Sequence, residues 1–424
     1  MKVITADSHN INPNDISDAA VKVVHGLKRA GFEGYIVGGA VRDLMLGGHP
    51  KDFDVATNAT PEQVRQLFRS ARIIGRRFQI VHVRFGPEII EVTTYRGHHD
   101  SDSDADASAK SKQSDKGLLL RDNVYGTLDE DAARRDLTVN AMYYDPDERT
   151  VFDHMLGAED IHSRLVRIIG DPHQRYREDP VRMLRVVRFS AKLQFDIESE
   201  TEYAIADCGA LLSEIPAARL FDEFLKLFMS GYAQLTFALL REHKLLQYLF
   251  PEPAHYIEQS PQYLRLVQAA MASTDKRVRE ERPVTPAFLL AAILWPAVQA
   301  RSKLLVAAGE PIAQAMNSAG QQVTAEVCLH VAIPKRFSMP MREMWEFQPK
   351  LERRLARRIK DHLSSRRFRA AYDLVLLRES TGEHLDDCGA FWTEQQALFP
   401  DIVGTAPAAE EPPRRRRTRR RRAP

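Results

Sequence analysis

The stretch YIVGGAVRD at residues 35–43, followed by KDFDV at residues 51–55, decides the fold that we expect. Its leading apolar residues predict a short strand, and the two glycines behind them permit a sharp corner into a helix. Backbone amides at the N-terminus of a helix can bind a phosphate group, and glycines let the phosphate come close. The order strand, glycine corner, helix and second strand therefore predicts a mixed α/β unit around an anion site.

Two aspartates of the second segment are the candidate metal ligands. Because residues two apart share one face of a strand, Asp52 and Asp54 should project together while Phe53 turns into the core. Neighbouring carboxylates repel each other unless a cation lies between them, and Mg²⁺ prefers oxygen ligands and leaves positions open for phosphate. A lone D-x-D is more often a solvated turn, but behind the glycine corner it indicates a site for nucleotidyl transfer.

Size and composition restrict the class of protein. A chain of 424 residues should form about two or three domains. No stretch reaches the roughly 18 apolar residues of a membrane span, since the best candidate, Phe288 to Trp295, is shorter and predicts a buried helix. Residues 1–10 lack the apolar core of a signal peptide. The three cysteines are far apart in sequence, which argues against a zinc ribbon or a disulfide framework and fits a cytoplasmic protein.

Positive charge is concentrated in an arginine-rich C-terminus. Eight arginines lie within residues 414–422, so that residues 1–413 carry a net charge of −6 against +2 for the whole chain. We expect such a run to be disordered and to bind polyanions by releasing counterions. A solubilising tail is the simpler interpretation, but the fit of guanidinium groups to phosphate favours nucleic acid.

The pattern along the chain predicts an α+β head followed by helices. Candidate strands lie at residues 35–37, 53–56, 79–85, 88–95 and 166–169, and candidate helices at residues 16–30 and after Thr60-Pro61. The polar stretch 97–117, including His98-His99-Asp100, predicts a mobile loop rather than a metal cluster. We predict four parts: a head at 1–165, a neck at 166–230, an all-helical body at 231–400 and a disordered tail at 401–424.

A third segment, RRDLTVN at residues 134–140, adds two arginines and a carboxylate. Arg135 can hold a phosphate through two hydrogen bonds, and Asp136 can complete the acidic cluster or orient an arginine. Glu91, between apolar residues on a predicted strand, competes for the place of third carboxylate. A helix-surface ion pair and an outward-facing glutamate are the plainer alternatives for these residues.

A fourth segment, EDPVRMLR at residues 178–185, predicts a helix with one polar face. Asp179 is the expected N-cap before Pro180, and Arg182 and Arg185 are three residues apart on the same face. A simple cap is the plainer interpretation. Planar Asp and Arg groups on a rigid helix can also form hydrogen bonds to the edge of a base, which would let the protein select the incoming nucleotide.

Together, the four segments resemble class II nucleotidyltransferases of the polymerase-β superfamily, which comprise bacterial poly(A) polymerases and tRNA CCA-adding enzymes. The resemblance covers essentially the whole chain and implies a polymerase-β-like head with a small mixed sheet, a helical neck that reads the nucleobase and a helical body that binds RNA. It implies three catalytic residues, of which the first two hold the metal: Asp52, Asp54 and Asp136. It implies that the following residues bind the nucleotide: Gly38, Gly39, Arg42, Arg135, Asp179, Arg182 and Arg185.

Within that family, the chain looks more like the poly(A) polymerases. IIGRRFQIVHV at residues 73–83 resembles the segment that separates them from CCA-adding enzymes, and an arginine-rich C-terminus is typical of them. The resemblance implies Mg²⁺-dependent addition of AMP from ATP to the 3′ ends of mRNA and small RNAs, with RNA chaperones and RNA-decay proteins as possible partners.

Three alternatives stay open at this point. A CCA-adding enzyme would use CTP and depend on tRNA. A non-catalytic RNA-binding module would lack Mg²⁺-dependent nucleotide binding. A transferase that modifies a small molecule, such as an aminoglycoside, shares the glycine corner and the D-x-D, but the long helical body and the arginine tail argue against it.

Overall fold

The structure is a computed structural model that describes residues 1–75, 79–97, 111–113, 119–122 and 125–405. These residues form two compact units. The first unit comprises Met1–Leu227 and Leu235–Tyr248, and the second comprises Phe228–Gln234 and the chain from Leu249 onward. The division that we predicted between head and neck at residue 165 stays a prediction, as do the other domain boundaries.

A mixed sheet of eight strands forms the centre of the first unit. The strands among the described residues are β1 (Lys2–Ile4), β2 (Tyr35–Val37), β3 (Asp54–Thr57), β4 (Ala71–Ile74), β5 (Ile80–Phe85), β6 (Glu88–Thr94), β7 (Ser111–Gln113), β8 (Leu119–Asp122), β9 (Met142–Asp145), β10 (Thr150–Asp153), β11 (Leu165–Val166) and β12 (Asp196–Ile197). The order in the sheet is β1-β10-β9-β2-β3-β6-β5-β4. Strands β3 and β6 are parallel, and the other neighbours in this sheet are antiparallel.

The four strands predicted between residues 35 and 95 are confirmed as β2, β3, β5 and β6. The strand predicted at 166–169 is only partly formed, because β11 ends at Val166 and Ile168 makes an isolated bridge with Leu137. Sequence patterns missed β1, β4, β9 and β10, which are too short to show a clear alternation. Most of the predicted loop 97–117, including His98-His99-Asp100, lies outside the described residues, but its residues 111–113 form β7.

Several helices of the first unit begin at residues whose side chains cap them. They are α1 (Asp18–Arg29), α2 (Gly39–Met45), α3 (Pro61–Leu67), α4 (Leu128–Arg134), α5 (Gly157–Ser163), α6 (Pro172–Glu178), α7 (Val181–Leu193), α8 (Ser199–Cys208), α9 (Ala217–Phe228), α10 (Ala233–Glu242) and α11 (Leu246–Leu249), the last three near the division between the units. The predicted start of α3 is confirmed, because Thr60 and Gln63 form a reciprocal capping box around Pro61. Thr127 and Glu130 do the same for α4.

One face of the sheet is covered by α1, and this packing sets the direction of every strand residue. Val23 and Leu27 of α1 are fully buried in the same cluster as Val55 and Val92 of the sheet. Each such side chain contributes roughly 1.5–3 kcal/mol by leaving water. Since side chains alternate along a strand, burial of Val92 turns Glu91 to the opposite face.

The described part of the second unit is helical. Its helices are α12 (Pro251–Gln259), α13 (Pro261–Arg279), α14 (Pro286–Ala307), α15 (Ile312–His330), α16 (Lys335–Arg353), α17 (Ile359–Ser364), α18 (Phe368–Ser380) and α19 (Cys388–Leu398). Prolines mark breaks between these helices: α12 begins at Pro251, Pro283 lies between α13 and α14, and Pro334 precedes α16.

Helix α14 contains the apolar run that we predicted to be a buried helix. Leu289 to Trp295 are at most 1 % exposed, which confirms that prediction. The helix is longer than the predicted run and, within the described ranges, is the one helix that could cross a membrane by length and composition. Most of its apolar window is buried inside the protein, as in the core helix of a globular domain.

Candidate active site

The glycine corner lies between β2 and α2. Gly38 has φ 77° and ψ −131°, a backbone conformation that residues with a side chain rarely adopt. A Cβ atom at Gly38 would lie 3.6 Å from the NH1 atom of Arg135. The guanidinium group of Arg135 therefore lies against the corner, which places a positive charge where an anion bound by the backbone amides would lie.

Two carboxylates, those of Asp54 and Glu91, lie side by side near the corner. The parallel pairing of β3 with β6 places Asp54 next to Glu91, and the antiparallel pairing with β2 places it opposite Val37. Phe53 is buried as predicted. Asp52, however, is exposed and precedes the strand, so our prediction that both aspartates lie within one strand is wrong: β3 begins only at Asp54.

The negative charges of Glu91 and Asp52 act on Asp54. Burial and the negative charge of Glu91 raise the pKa of Asp54 to about 6, with Asp52 adding to the shift and Arg135 opposing it. A carboxyl group in this position stays protonated to a higher pH unless a nearby cation compensates the negative charge. The oxygen-rich, negatively charged set fits a hard divalent cation such as Mg²⁺.

Hydrogen bonds to two neighbouring side chains hold the guanidinium group of Arg135 in place. Its Nε and NH2 atoms donate to Asp131 Oδ2 at 3.2 and 3.0 Å, and Nε also donates to the Tyr143 hydroxyl at 3.0 Å. Burial alone would lower the pKa of Arg135, but Tyr143 and Asp131 outweigh it and raise the pKa. No described residue accepts a hydrogen bond from NH1, the atom that faces Gly38. We missed Asp131, although its spacing of four residues from Arg135 on a helix was a readable signal.

Arg42 is buried beside the corner, where a Cβ atom at Gly39 would lie 3.4 Å from its NH2 atom. It is 2 % exposed, and Nε and NH2 donate to Asp43 Oδ1 at 2.8 and 2.6 Å while NH1 donates to Asn140. Its guanidinium group also lies 5.1 Å from the ring centre of Phe189 on α7. Every nitrogen of Arg42 is thus engaged, and the side chain ties α2 to two distant segments.

Asp136 is paired with Arg185. Arg185 Nε donates to Asp136 Oδ2, and the backbone N–H of Leu137 donates to Oδ1 at 2.9 Å. Burial would raise the pKa of Asp136, but Arg185 outweighs it and holds that pKa well below its usual range. The strongest charges acting on Asp54 are instead Glu91, Arg135 and Asp52. The structure therefore groups Glu91 with Asp54, and Asp136 with the helix that carries Arg185.

The predicted base-reading residues lie at the start of α7. Asp179 Oδ1 accepts from the N–H of Val181 at 3.3 Å. The N-cap of α7 is Pro180, however, and Asp179 ends the preceding helix α6, so our prediction of Asp179 as the N-cap and Pro180 as the first helical residue is wrong by one residue. Arg219 NH2 donates to Asp179 Oδ2 at 2.7 Å, and Arg182 NH1 donates to Glu178 Oε2 at 2.8 Å. Arg219, 40 residues further along the chain, carried no local signal in the sequence.

Arginines crowd together next to this helix. Burial, with Arg96, Arg175 and Arg182 nearby, lowers the pKa of Arg134 to about 10. Burial and Arg182 likewise lower the pKa of Arg175 to about 10. Like charges so close together generate a positive potential that attracts phosphate groups.

Three family models match the chain. The model described as "Poly A polymerase head domain" matches residues 34–167, which contain the glycine corner, the carboxylates and Arg135. The model "Probable RNA and SrmB- binding site of polymerase A" matches residues 194–257. The model "Polymerase A arginine-rich C-terminus" matches residues 308–423.

Individual proteins show the same relationship. Poly(A) polymerase I of Salmonella typhimurium is 44 % identical over 405 residues, which is 94 % of this chain and 87 % of that protein. The CCA-adding enzyme of Lactobacillus helveticus is 37 % identical over 234 residues, which is 54 % of this chain and 55 % of that protein. The crystal structure of the Bacillus stearothermophilus CCA-adding enzyme in complex with CTP superimposes with a TM-score of 0.59 at 25 % identity, over 91 % of this chain and 83 % of that one.

We expect the substitution Asp136→Asn to destabilise the first unit by about 1–3 kcal/mol at pH 7, because it leaves a largely buried Arg185 without its counter-charge. The pKa of Asp136 is lowered in the folded protein, so its contribution is present above about pH 4 and is lost as the pH falls further. The measurement is the free energy of urea unfolding of the unsubstituted protein and of Asp136→Asn between pH 3 and pH 7. The control is Asp361→Asn, which breaks an exposed ion pair with Arg358. Equal midpoints for both variants at pH 7 would contradict the prediction.

Proposed function

This chain belongs to the poly(A) polymerase I family, and we propose that it adds AMP units from ATP to RNA 3′ ends without a template and releases pyrophosphate. The observation that carries the proposal is the grouping of Asp54 and Glu91 beside Arg135 at the Gly38 corner. Carboxylates for a cation and a guanidinium group for phosphate are what phosphoryl transfer needs, since positioning and charge neutralisation supply most of its catalysis.

The acidic group holds Mg²⁺ in this proposal. Asp52 and Asp54 are its protein ligands, as the sequence predicted, and Glu91 is the third carboxylate facing it. Two bound Mg²⁺ ions would supply activation of the RNA 3′-oxygen and stabilisation of the negative charge on the leaving pyrophosphate. In the described part of the chain, no group of three or more His, Cys, Asp and Glu side chains is placed to hold a metal ion by itself. In this proposal, water and the nucleotide's own phosphates would complete the coordination.

Arg135, Gly38 and Gly39 orient the triphosphate. Asp131 and Tyr143 fix the guanidinium group of Arg135. Its NH1 atom can therefore contact the phosphates without a further loss of side-chain conformational entropy. Arg42 acts differently in our proposal: it is a positioning residue that holds Asn140 and Asp43 beneath the corner.

Asp179, Arg182 and Arg185 form the face that reads the base. Arg219 and Glu178 fix the planar groups of Asp179 and Arg182, so that their hydrogen-bonding directions are set before the nucleotide arrives. A rigid set of donors and acceptors discriminates between bases because a mismatched base leaves a buried polar group unpaired. Asp136 supports this face by anchoring Arg185 and is a positioning residue, rather than a metal ligand, in this proposal.

In this proposal, RNA is the macromolecular substrate and the protein acts in the cytoplasm. The arginine-rich tail, which lies outside the described residues, supplies additional phosphate contacts. RNA chaperones and RNA-decay proteins are the partners that we propose, because they act on the same 3′ ends.

The decisive experiment supplies the purified protein with Mg²⁺, a single-stranded RNA primer and each nucleoside triphosphate separately. We expect a long ladder of products with ATP alone. Addition of a few C and A residues restricted to tRNA ends would identify a CCA-adding enzyme instead. That alternative has less support, because the match to the CCA-adding enzyme of Lactobacillus helveticus covers only 54 % of the chain.

Substituting the carboxylates tests the metal assignment. We expect Asp54→Asn to abolish addition while leaving the circular dichroism spectrum unchanged. Glu91→Gln should lower the rate constant at saturating ATP by about 100-fold or more, because removing charge at the cation weakens stabilisation of the transition state. Glu62→Gln, an exposed residue on α3, is the control. Substantial activity in a folded Asp54→Asn protein would refute the assignment.

Deletion of residues 412–424 tests the tail. We expect weaker binding of single-stranded RNA and a smaller dependence of affinity on salt, since fewer counterions are released. The rate of the first AMP addition at saturating RNA should stay the same. Unchanged affinity together with an unchanged salt slope would exclude a role for the tail in RNA binding.

A further inference from the structure

The sheet carries a row of polar residues that continues beyond the candidate metal ligands. The pairing of β6 with β5 places His82 opposite Glu91, and the pairing of β5 with β4 places Arg72 opposite His82. Because cross-strand partners lie on the same face of a sheet, Asp54, Glu91, His82 and Arg72 form one row across four neighbouring strands. The row begins next to β2, which leads into the glycine corner, and ends at β4, the last strand of the sheet.

The face that carries this row is exposed at β4, β5 and β6. The side chain of Glu91 is 48 % exposed. Ile74 and Ile89, each two residues from a member of the row and therefore on the same face, are 43 % and 46 % exposed. On the opposite face, Val81 and Val83 are buried in the cluster that contains residues of α1 and α3. Exposed apolar side chains grouped with charged ones are typical of an interaction surface.

The positive groups on this exposed face are available to a ligand. Arg72 is exposed, and no described residue forms a hydrogen bond or an ion pair with it. Arg84, on the same face of β5 as His82, is also exposed, and its Nε atom donates only to the carbonyl of Gly86 at 2.8 Å. His82 Nε2 lies 3.3 Å from Glu91 Oε1, an ion-pair distance without a hydrogen bond, and is enclosed. Guanidinium groups bind phosphates, and neighbouring apolar side chains suit the riboses and bases of a single strand.

The geometry of phosphoryl transfer assigns this face to the RNA primer. The attacking and leaving oxygens lie roughly in line on opposite sides of the phosphorus. The proposed function, on which this step rests, places the leaving pyrophosphate at Gly38 and Arg135, on the β2 side of Asp54. The 3′-oxygen must then approach from the other side, where β6, β5 and β4 follow in the sheet.

We propose that the 3′ end of the RNA primer binds across this face. Arg72 and Arg84 contact phosphates of the last nucleotides, and Ile74 and Ile89 contact their riboses or bases. His82 is a positioning residue that lies between Arg72 and Glu91. Such contacts carry no base specificity, so the primer is recognised as a single-stranded 3′ end and not by its sequence. Ile74 and His82 belong to the segment 73–83, in which the proposed function assigned no residue a role.

Primer binding without chemistry tests this subsite. The full-length protein is titrated with a fluorescently labelled oligo(A) tetranucleotide in Mg²⁺ without ATP, and anisotropy gives the affinity at several salt concentrations. Arg72→Gln should weaken binding and reduce the magnitude of the salt slope by about 0.7, the value for one phosphate contact on a single strand. Arg65→Gln, an exposed arginine of α3 on the opposite side of the sheet, should change neither quantity.

A second pair of variants places a negative charge on each side of the sheet. Ile74→Glu should weaken primer binding by about tenfold or more, because the carboxylate repels phosphate. Leu67→Glu on α3 is the matched control, since Leu67 is 38 % exposed but lies on the covered side. With ATP present, Ile74→Glu and Arg72→Gln should raise KM for the primer and leave KM for ATP unchanged.

Crosslinking locates the primer directly. A tetranucleotide with 4-thiouridine at its 3′ end is bound without ATP and irradiated, and mass spectrometry should find it attached to peptides that contain β4, β5 or β6. Crosslinks confined to other segments, or unchanged primer affinity and primer KM in both Arg72→Gln and Ile74→Glu, would overturn the proposal. Failure of the proposed function is a separate outcome, in which the unsubstituted protein binds the primer but forms no ladder with ATP.

Discussion

The parallel pairing of β3 with β6 is the constraint on which the head depends. Val55 and Val92 are partners in that pairing and are buried against α1, so the hydrophobic core fixes the register. The same register places Asp54 next to Glu91 on the other face. A slip by one residue would bury Glu91 and expose Val92, and apolar burial therefore holds two like charges together that would separate if free in solution.

Positive charge is arranged around this pair by residues far apart in sequence. Asp131 and Tyr143 orient Arg135 toward the glycine corner, and Asp136 anchors Arg185 on α7. Each of these guanidinium groups is held by a fixed partner, so a nucleotide meets prearranged charges instead of flexible side chains. In the function that we propose, the carboxylates bind the cation, and the arginines contact the phosphates and the base.

The second unit uses a buried charge for a different purpose. Arg378 is enclosed by Glu352, Glu383 and Gln348 and lies over the ring of Trp295, so its hydrogen bonds join α14, α16 and the segment after α18. A satisfied polar network of this kind fixes the relative positions of packed helices, which apolar contacts alone specify less sharply.

The sequence by itself determined the features that depend on local order: the strand and glycine corner at residues 35–39, the cap before α3, the acidic pair and the breaks at prolines. These follow from backbone preferences and spacing, which act over a few residues. Only the tertiary structure decided that Glu91 rather than Asp136 lies beside Asp54, that Arg42 is buried, and that Arg219 holds Asp179. Those outcomes depend on pairing between distant segments, and the partners of a carboxylate or a guanidinium group leave no periodic trace along the chain.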